Sequence, residues 1–305
     1  TGKRKWHFQM VHHDIWDYDT PMAPNLMDVT IDGKPRKIIA QSTKQGWLYV
    51  FDRITGEPIW PIVETPVPQS EVPGEVTSPT QPIPSKPAPY SQQGLLESDL
   101  IDYTPEIKAA ALKLAQQCRM GPYYIPAQPA DGSAPSGLRC SWYTPGASGG
   151  VNIDGGAAID PETGMMYVAS QTGMSTISVA KDPCSEFRYS TPHDSCGSVG
   201  AMAPPPGYQP PARGAGGRGG GFGRTPVVTT LGGRGGRGGV SIFKPKEFGG
   251  ITAYNLGTGD KAWWIPNGGQ MVPVTSDDPM FAGIQLPPTP PGRQPGSHPR
   301  PPRPT

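Results

Sequence analysis

Trp47-Leu48-Tyr49-Val50-Phe51-Asp52, followed by Thr55-Gly56-Glu57-Pro58-Ile59-Trp60, is the stretch that decides the fold of this chain. The first segment is an apolar strand candidate, and the Thr-Gly pair supplies a glycine for a tight turn. The same turn, Thr-Gly followed by three residues and a Trp, recurs at Thr1 to Trp6 and at Thr258 to Trp263. Recurrence of one hairpin with a fixed aromatic residue predicts a repeat β architecture, above all a propeller.

The aromatic residue of the repeat has a predicted structural role. We expect Trp6, Trp60 and Trp263 to pack in the core between neighbouring blades. A fourth relative of the turn, Thr163-Gly164, is followed by Tyr167 in place of Trp.

The composition points to long loops. The chain has 41 glycines and 41 prolines in 305 residues, over a quarter of the total. Neither residue suits the interior of a helix or a strand. The net charge of +1 favours no class of partner. No run of 18 or more apolar residues is present, so we expect no membrane-spanning helix in this segment.

The chain reads as one domain with two long insertions. We expect residues 1–288 to form part of a propeller domain, interrupted by insertions at 61–103 and 181–249. The first insertion is Pro-rich and without periodicity, which is typical of a functional loop or a linker. Residues 289–305 are predicted to be a disordered Pro-rich tail.

Local signals predict one helix after the stretch that decides the fold and a hairpin before it. Thr104 is a good N-cap and Pro105 suits the first helical position, so we expect a helix from there to about Cys118. Asp32-Gly33 predicts a hairpin turn, and the segment from Lys37 to Ser42 a strand.

The four cysteines, Cys118, Cys140, Cys184 and Cys196, show no metal-binding spacing. Their even number permits two disulfides in an oxidising compartment, with Cys184–Cys196 as the more local pairing. Four buried or incidental thiols are an equally good interpretation.

A Gly/Arg-rich tract runs from Arg213 to Gly239. Such a tract binds RNA in some proteins through its charge and flexibility. We favour a disordered surface loop, because Phe222 is the tract's single aromatic residue. No nucleic-acid partner is expected.

Titratable and aromatic side chains are densest between Trp6 and Pro21, which indicates a site. Asp17 is a candidate general base, given a desolvated or metal-adjacent setting. Its neighbours are harder to assign, because Asp14 and Asp19 fit turn capping as well as they fit a site.

The adjacent pair His12 and His13 fits three roles: metal ligands, polar walls of a site, or hydrogen-bonded structural residues. Neighbours in a strand point to opposite faces, so we expect at most one of them to enter the site.

The segment from His12 to Pro21, His-His-Asp-Ile-Trp-Asp-Tyr-Asp-Thr-Pro, is followed by Thr43-Lys44-Gln45-Gly46-Trp47, with Lys44 27 residues after Asp17. Together they closely resemble the pyrroloquinoline quinone (PQQ) dependent dehydrogenases. The membrane-type glucose and polyol dehydrogenases are the most similar branch, and the resemblance runs from Thr1 to about Pro288. It implies an all-β fold: about half of an eight-bladed quinoprotein propeller, with long loops and one short helix.

The resemblance also implies an activity and a set of site residues. It implies oxidation of an alcohol, polyol or aldose by hydride transfer to PQQ, beside Ca²⁺ or alternatively Mg²⁺ or a lanthanide. Asp17 matches the general base and a metal ligand, and Asp19 is a second candidate metal ligand. Lys44 matches the lysine that binds the quinone oxygens, and Asn152 matches an asparagine near the cofactor. Electrons would pass to a quinone or to cytochrome c.

Two further expectations follow from the resemblance. The repeat begins at Thr1 without a preceding strand, and the family's other ligands lie upstream, so we expect a C-terminal fragment that is inactive alone. The resemblance implies a periplasmic protein, with membrane association left open through the missing N-terminal region. A non-catalytic propeller-type binding module is the alternative function, but the presence of both Asp17 and Lys44 favours the enzyme.

Overall fold

Strands dominate the computed structural model of this chain, and the described part contains one α-helix, α1 (Pro105–Ala115). The predicted all-β class with one short helix is therefore confirmed. The structure describes residues 2–146, 150, 156–171, 174–185, 187, 189–190, 203, 206–207, 230–231, 240–244, 249–266 and 278–287.

The described strands form five sheets, none of which closes on itself. Numbered along the chain, the strands are β1 (Asn25–Ile31), β2 (Lys34–Ser42), β3 (Leu48–Asp52), β4 (Ile62–Pro66), β5 (Thr80–Pro84), β6 (Gln128–Pro129), β7 (Ser141–Tyr143), β8 (Ala157–Asp160), β9 (Met165–Gln171), β10 (Ser175–Val179), β11 (Thr230–Leu231), β12 (Val240–Ser241), β13 (Gly249–Asn255) and β14 (Asp260–Pro266). The two sheets with the most residues have the strand orders β1-β2-β3 and β14-β13-β9-β8, and all their pairings are antiparallel. The smaller sheets are β6-β10-β7, β4-β5 and β11-β12.

Three of the predicted hairpin turns lie where the sequence placed them. Asp32-Gly33 joins β1 to β2, Thr163-Gly164 joins β8 to β9, and Thr258-Gly259 joins β13 to β14. The turn at Gly56 is less regular, because Pro58 has no N–H to donate to a strand ladder. Pro58 pairs with Phe51 through an isolated bridge, and no strand after this turn pairs with β3 within the described residues.

One core joins the two largest sheets. Ile38 and Val50 contribute from the first sheet, and Met166, Val168 and Tyr254 from the second. Along β1 buried side chains alternate with exposed ones, as the period of two requires for a sheet with one buried face, whereas β3 is buried on both faces. Packing of the two sheets against each other is what an arrangement of neighbouring blades requires.

Two of the repeat tryptophans each pack on the glycine of another Thr-Gly turn. A Cβ atom on Gly56 would lie 2.6 Å from the Trp6 ring, and one on Gly259 would lie 2.7 Å from the Trp60 ring. Only glycine permits contact this close, and both glycines have a positive φ. Packing between neighbouring hairpins is thus confirmed for Trp6 and Trp60.

The prediction of core packing is wrong for Trp263, whose relative exposure is 42%. β14 is the outer strand of its sheet, and all seven of its residues are exposed. Within the described ranges β14 pairs with β13 alone, so Trp263 contacts Tyr167 of the same sheet at a ring distance of 5.7 Å.

The helix begins as predicted and ends earlier. The Thr104 hydroxyl accepts a hydrogen bond from the Ile107 N–H at 3.2 Å, and Pro105 is the first helical residue. The helix ends at Ala115, three residues before Cys118. Ile107 and Ala115 face a core that also contains Trp142 of β7.

The first insertion contains strands that the sequence did not predict. β4 and β5 form a two-stranded hairpin within residues 61–103. Both are edge strands, which tolerate the prolines Pro82 and Pro84 because not every N–H has a partner there. Most of the insertion 181–249, with nearly all of the Gly/Arg-rich tract, and the whole tail 289–305 lie outside the described residues.

A disulfide joins Cys118, just after α1, to Cys140, just before β7. Cys184 is also disulfide-bonded, so the interpretation as four free thiols is wrong. The pairing of Cys184 with Cys196 stays a prediction, because Cys196 lies outside the described residues.

Replacing both Cys118 and Cys140 with Ala is expected to lower the free energy of unfolding by about 3 kcal/mol, because the crosslink closes a loop of 22 residues. Urea unfolding of the oxidised wild-type and double-variant proteins measures the difference. Equal midpoints and slopes for the two proteins would contradict this expectation.

Candidate active site

Side chains alternate between buried and exposed along the densest stretch of the sequence. Trp16 and Tyr18 are buried, at 2% and 4% relative exposure, while Asp17 and Asp19 point to the surface. The two aromatic residues anchor the stretch and present both carboxylates on the other side.

Trp16 and Tyr18 are held by hydrogen bonds to residues that are close in space but more than one hundred positions away along the chain. The Trp16 indole N–H donates to the Ile125 carbonyl at 2.8 Å, and the Tyr18 hydroxyl donates to the Pro145 carbonyl at 2.6 Å. The Tyr143 hydroxyl donates to the Trp16 carbonyl. Burial raises the pKa of Tyr18 well above its usual value, so this hydroxyl remains a donor at neutral pH.

The Asp14 side chain caps the turn that follows it, by binding two backbone N–H groups of the same stretch. Its Oδ1 accepts from the Trp16 N–H at 2.9 Å and its Oδ2 accepts from the Tyr18 N–H at 2.8 Å. Burial raises the pKa of the Asp14 carboxyl, and the two backbone hydrogen bonds oppose that rise only in part. Of the two interpretations of Asp14, turn capping is the one that the structure shows.

Lys44 lies in the loop between β2 and β3 and is almost fully buried, at 5% relative exposure. Neighbouring hydrogen bonds hold this loop in place. The Thr43 hydroxyl donates to the Trp47 carbonyl at 2.8 Å, the Gln45 amide donates to the Met10 carbonyl at 3.0 Å, and the Tyr90 hydroxyl accepts from the Thr43 N–H at 2.6 Å.

The structure brings Lys44, Asp17 and Asp19 together. Lys44 Nζ lies 2.9 Å from Asp17 Oδ2 and also donates to Asp19 Oδ1. Desolvation lowers the pKa of Lys44, but the hydrogen bonds to Asp19 and Asp17 outweigh it, so the pKa is raised. The result is a buried ammonium that stays charged and joins two half-exposed carboxylates.

Asn152, the third predicted cofactor-binding residue, lies outside the described residues. Its close sequence neighbour Gly150 is described and lies directly on the backbone of Lys44. Gly150 has a φ of +83°, and a Cβ atom there would collide with the Lys44 carbonyl. The two segments therefore meet through a contact that only glycine permits.

Gly150→Ala is expected to displace the Lys44 loop and to destabilise the protein by more than the cost of a left-handed alanine, which is about 1 kcal/mol. Gly137→Ala is the matched control, because Gly137 has a φ of +70° and no atom within 4 Å of its Cβ position. Thermal unfolding of both variants measures the difference, and equal losses for the two would contradict the contact.

The histidines contribute less than the carboxylates. The ring Nε2 of His12 lies 3.0 Å from Glu64 Oε1, and its backbone pairs with the Gln81 side chain in both directions. His13 is exposed, with a φ of +47°. Of the three roles considered, His12 shows the hydrogen-bonded structural one. Our argument from strand alternation was wrong here, because both residues lie in an irregular bend.

Sequence reasoning missed two features that build the site: the anchoring hydroxyls of Tyr18 and Tyr143, and the contact of Gly150 with Lys44. The alternation of aromatic and acidic residues in Trp16-Asp17-Tyr18-Asp19 could have signalled the first anchors. No local pattern signals a partner more than one hundred residues away along the chain.

The described residues include no group of three or more His, Cys, Asp or Glu side chains that could hold a metal ion. Within the part of the chain that the structure describes, Asp17 and Asp19 place carboxylate oxygens against Lys44. Among the described residues, no helix has the length and apolar character needed to cross a bilayer.

Open antiparallel sheets of blade type, with a lysine and two carboxylates at one point, define a β-propeller protein with a polar site. A family model described as "PQQ: Glucose/ethanol/alcohol dehydrogenase, beta-propeller domain" matches residues 1–287. The chain belongs to this family, and the predicted partial quinoprotein propeller is thereby confirmed.

Curated relatives match shorter parts of the chain. It is 36% identical over 169 residues to the quinate/shikimate dehydrogenase (quinone) of Acinetobacter baylyi. These 169 residues are 55% of this chain and 20% of that protein. It is 54% identical over 84 residues to the quinoprotein glucose dehydrogenase of Gluconobacter oxydans. This match covers 27% of this chain and 10% of that protein. The matched part is thus one fifth or less of these relatives' length.

Among solved structures, a europium-containing methanol dehydrogenase aligns with 85% of this chain and 30% of its own at 16% identity, with a TM-score of 0.37. The family assignment therefore rests on the sequence match.

Proposed function

We propose that this chain is part of a PQQ-dependent dehydrogenase that oxidises a CH–OH donor, with Asp17 as the general base and Lys44 as a cofactor-binding residue. One observation carries the proposal: the buried Lys44 ammonium is bound to the Asp17 carboxylate, whose relative side-chain exposure is 42%. A propeller scaffold needs neither group for its stability, whereas an alcohol dehydrogenase needs a base beside a fixed cation.

The residues present fit a quinone cofactor. PQQ is a quinone with carboxylate groups, and a buried, permanently charged ammonium is a suitable donor to such oxygens. The segments beside Lys44 also contain buried polar atoms without a hydrogen-bond partner, namely Ser42 Oγ and Gln45 Oε1. Most buried polar atoms have a hydrogen-bond partner, so these two are available to a water, an ion or a ligand.

Asp17 has the properties that a general base requires. Its carboxylate faces the surface, and its Oδ2 lies 2.9 Å from the Lys44 Nζ, which holds it in place. Asp17 accepts the proton of the substrate hydroxyl, and the Lys44 ammonium beside it offsets the negative charge that develops on the substrate oxygen. When bound, PQQ supplies the hydride acceptor, which no side chain provides.

A divalent cation fits this site in part. Asp17 and Asp19 supply carboxylate oxygens, which Ca²⁺ prefers, but Ca²⁺ takes about six to eight oxygen ligands. The other ligands must then come from the cofactor, from water or from residues outside the described part. We propose Ca²⁺, with Mg²⁺ or a lanthanide as alternatives that metal reconstitution distinguishes.

For the substrate we propose a polyhydroxylated compound. The relatives named above act on quinate or shikimate and on glucose, and a further relative is a glycerol dehydrogenase large subunit from Gluconobacter oxydans. These substrates share hydroxyl groups on neighbouring carbons. We propose a quinone as the electron acceptor, as the name of the quinate/shikimate dehydrogenase (quinone) states for that enzyme, with cytochrome c as the alternative.

We propose that the protein works in an oxidising compartment, the bacterial periplasm. The disulfide between Cys118 and Cys140 supports this location, because disulfides persist where cellular reductants are absent.

Dye-linked oxidation by the full-length gene product, reconstituted with PQQ and Ca²⁺ or La³⁺, tests the proposed function. Glucose, quinate, glycerol and ethanol are offered in turn, and PQQ-dependent dye reduction with at least one is expected. PQQ binding without turnover of any donor would favour the non-catalytic binding module, and absence of PQQ binding would defeat the proposal.

A further inference from the structure

Asp14 binds two backbone N–H groups that flank Asp17. They belong to Trp16 and Tyr18, and each carboxylate oxygen of Asp14 takes one of them. The Tyr18 N–H is part of the peptide group directly after Asp17, and the Trp16 N–H is part of the peptide group between Ile15 and Trp16. A single side chain therefore restrains the backbone directly after Asp17 and one residue before it.

The backbone at Asp17 needs such a restraint. Asp17 has a φ of +60° and His13 a φ of +47°, so two non-glycine residues within five positions adopt the left-handed region. Each costs about 1 kcal/mol or more relative to an ordinary backbone, although Asp and His tolerate this region better than most residues. Such conformations persist when the surroundings determine them and are concentrated at functional sites.

The other anchors do not replace this restraint. The Trp16 indole and the Tyr18 hydroxyl hold the buried aromatic side chains. The Tyr143 hydroxyl holds the Trp16 carbonyl, which belongs to the peptide group directly before Asp17. Asp14 holds the N–H of the peptide group directly after Asp17 and therefore helps to set the direction in which the Asp17 carboxylate leaves the backbone.

Charge adds to this geometry. The Asp14 and Asp17 carboxylates repel each other, while Lys44 attracts both. The attraction to Lys44 therefore favours an Asp17 carboxylate that lies against the ammonium, as it does at 2.9 Å.

We propose that Asp14 is a positioning residue, which holds the Asp17 carboxylate against Lys44 in the orientation that proton transfer requires. This inference rests on the proposed function, in which Asp17 is the base. It assigns to Asp14 a role in turnover and not only in the stability of the turn. A misplacement of about 1 Å at a reacting group can lower a rate about 100-fold.

The test uses three variants of the full-length gene product: Asp14→Ala, Asp14→Asn and Asp52→Ala. Asp14→Ala removes both hydrogen bonds, while Asp14→Asn keeps the shape and one acceptor. Asp52→Ala is the matched control, because Asp52 also accepts from two backbone N–H groups, those of Ile54 and Thr55, in a turn outside the site.

The first measurement needs no cofactor. The rate at which an amine reagent labels Lys44 is followed by mass spectrometry of the protein without PQQ. Because Asp17 masks the Lys44 amine, labelling is expected to rise severalfold in Asp14→Ala, less in Asp14→Asn and not in Asp52→Ala. Asp17→Ala, which has no acceptor at this position, is the positive control for loss of the contact.

The second measurement is steady-state turnover with PQQ and Ca²⁺. Asp14→Ala is expected to lower kcat about 10- to 100-fold with KM almost unchanged, Asp14→Asn to recover part of the loss, and Asp52→Ala to retain both constants. Wild-type kcat and wild-type Lys44 labelling in Asp14→Ala would overturn the proposal. If Asp14→Ala does not fold, Asp14→Asn decides by the same criteria, and failure of both to fold would also overturn it.

The same set separates this inference from the proposed function. If Asp17→Asn keeps its turnover, the proposed function fails, whereas the labelling of Lys44 still reports whether Asp14 positions Asp17. If Asp17→Asn loses turnover and Asp14→Ala does not, only the inference about Asp14 fails.

Discussion

Asp17→Asn is expected to lower kcat by about 100-fold or more in the full-length protein reconstituted with PQQ, because general-base catalysis contributes about 10²- to 10⁴-fold. The amide cannot accept the proton of the substrate hydroxyl, yet it keeps the size of the carboxylate and can still accept a hydrogen bond from Lys44. Dye-linked turnover measures kcat, and circular dichroism and thermal unfolding establish that the fold is retained.

Asp28→Asn is the matched control for this variant. Asp28 is an exposed carboxylate of β1 whose Oδ1 lies 2.9 Å from Arg53 Nη2, so it too pairs with a cation, but away from the site. Its loss is expected to leave kcat within about twofold, because exposed ion pairs contribute about 1 kcal/mol or less. Unchanged turnover in Asp17→Asn would defeat the assignment of the base.

Lys44→Met is expected to weaken PQQ binding by about 10- to 100-fold, because a hydrogen bond to a charged group contributes about 1.5–3 kcal/mol. Methionine keeps most of the length and the apolar stem of lysine and removes only the ammonium. The Asp17 and Asp19 carboxylates then lose their common partner. Titration of the protein's tryptophan fluorescence with PQQ measures the affinity.

Lys86→Met controls for the general loss of a lysine. Lys86 also pairs with a carboxylate, with Nζ 3.1 Å from Asp260 Oδ1, but both side chains are about half exposed. Its PQQ affinity is expected to equal that of the wild type. Equal affinities for Lys44→Met and the wild type would remove Lys44 from the cofactor site.

Features with a local cause could be predicted from the sequence. The Thr-Gly turns at Gly164 and Gly259, the strands beside them and the Thr104 cap of α1 depend on residues a few positions apart, and all of these are present. The predicted partners Asp17 and Lys44 also lie together, because the resemblance linked two motifs that are distant along the chain.

Features that depend on tertiary neighbours could not be predicted. The exposure of Trp263 follows from the outer position of β14, which the repeat pattern does not encode. Whether Asp14 caps its turn or joins Lys44, as Asp19 does, depends on which way each carboxylate points after the aromatic residues are buried. The contact of Gly150 with the Lys44 backbone required the fold itself.

A double-mutant cycle on Asp17 and Lys44 tests most directly the claim that the two residues form one catalytic site. The value of kcat/KM is measured at saturating PQQ for the wild type, Asp17→Asn, Lys44→Met and the double variant. Residues that act as a unit are strongly non-additive, so the double variant is expected to lose about as much as the worse single variant. If the two losses multiply, Asp17 and Lys44 act independently, and the proposed site is wrong.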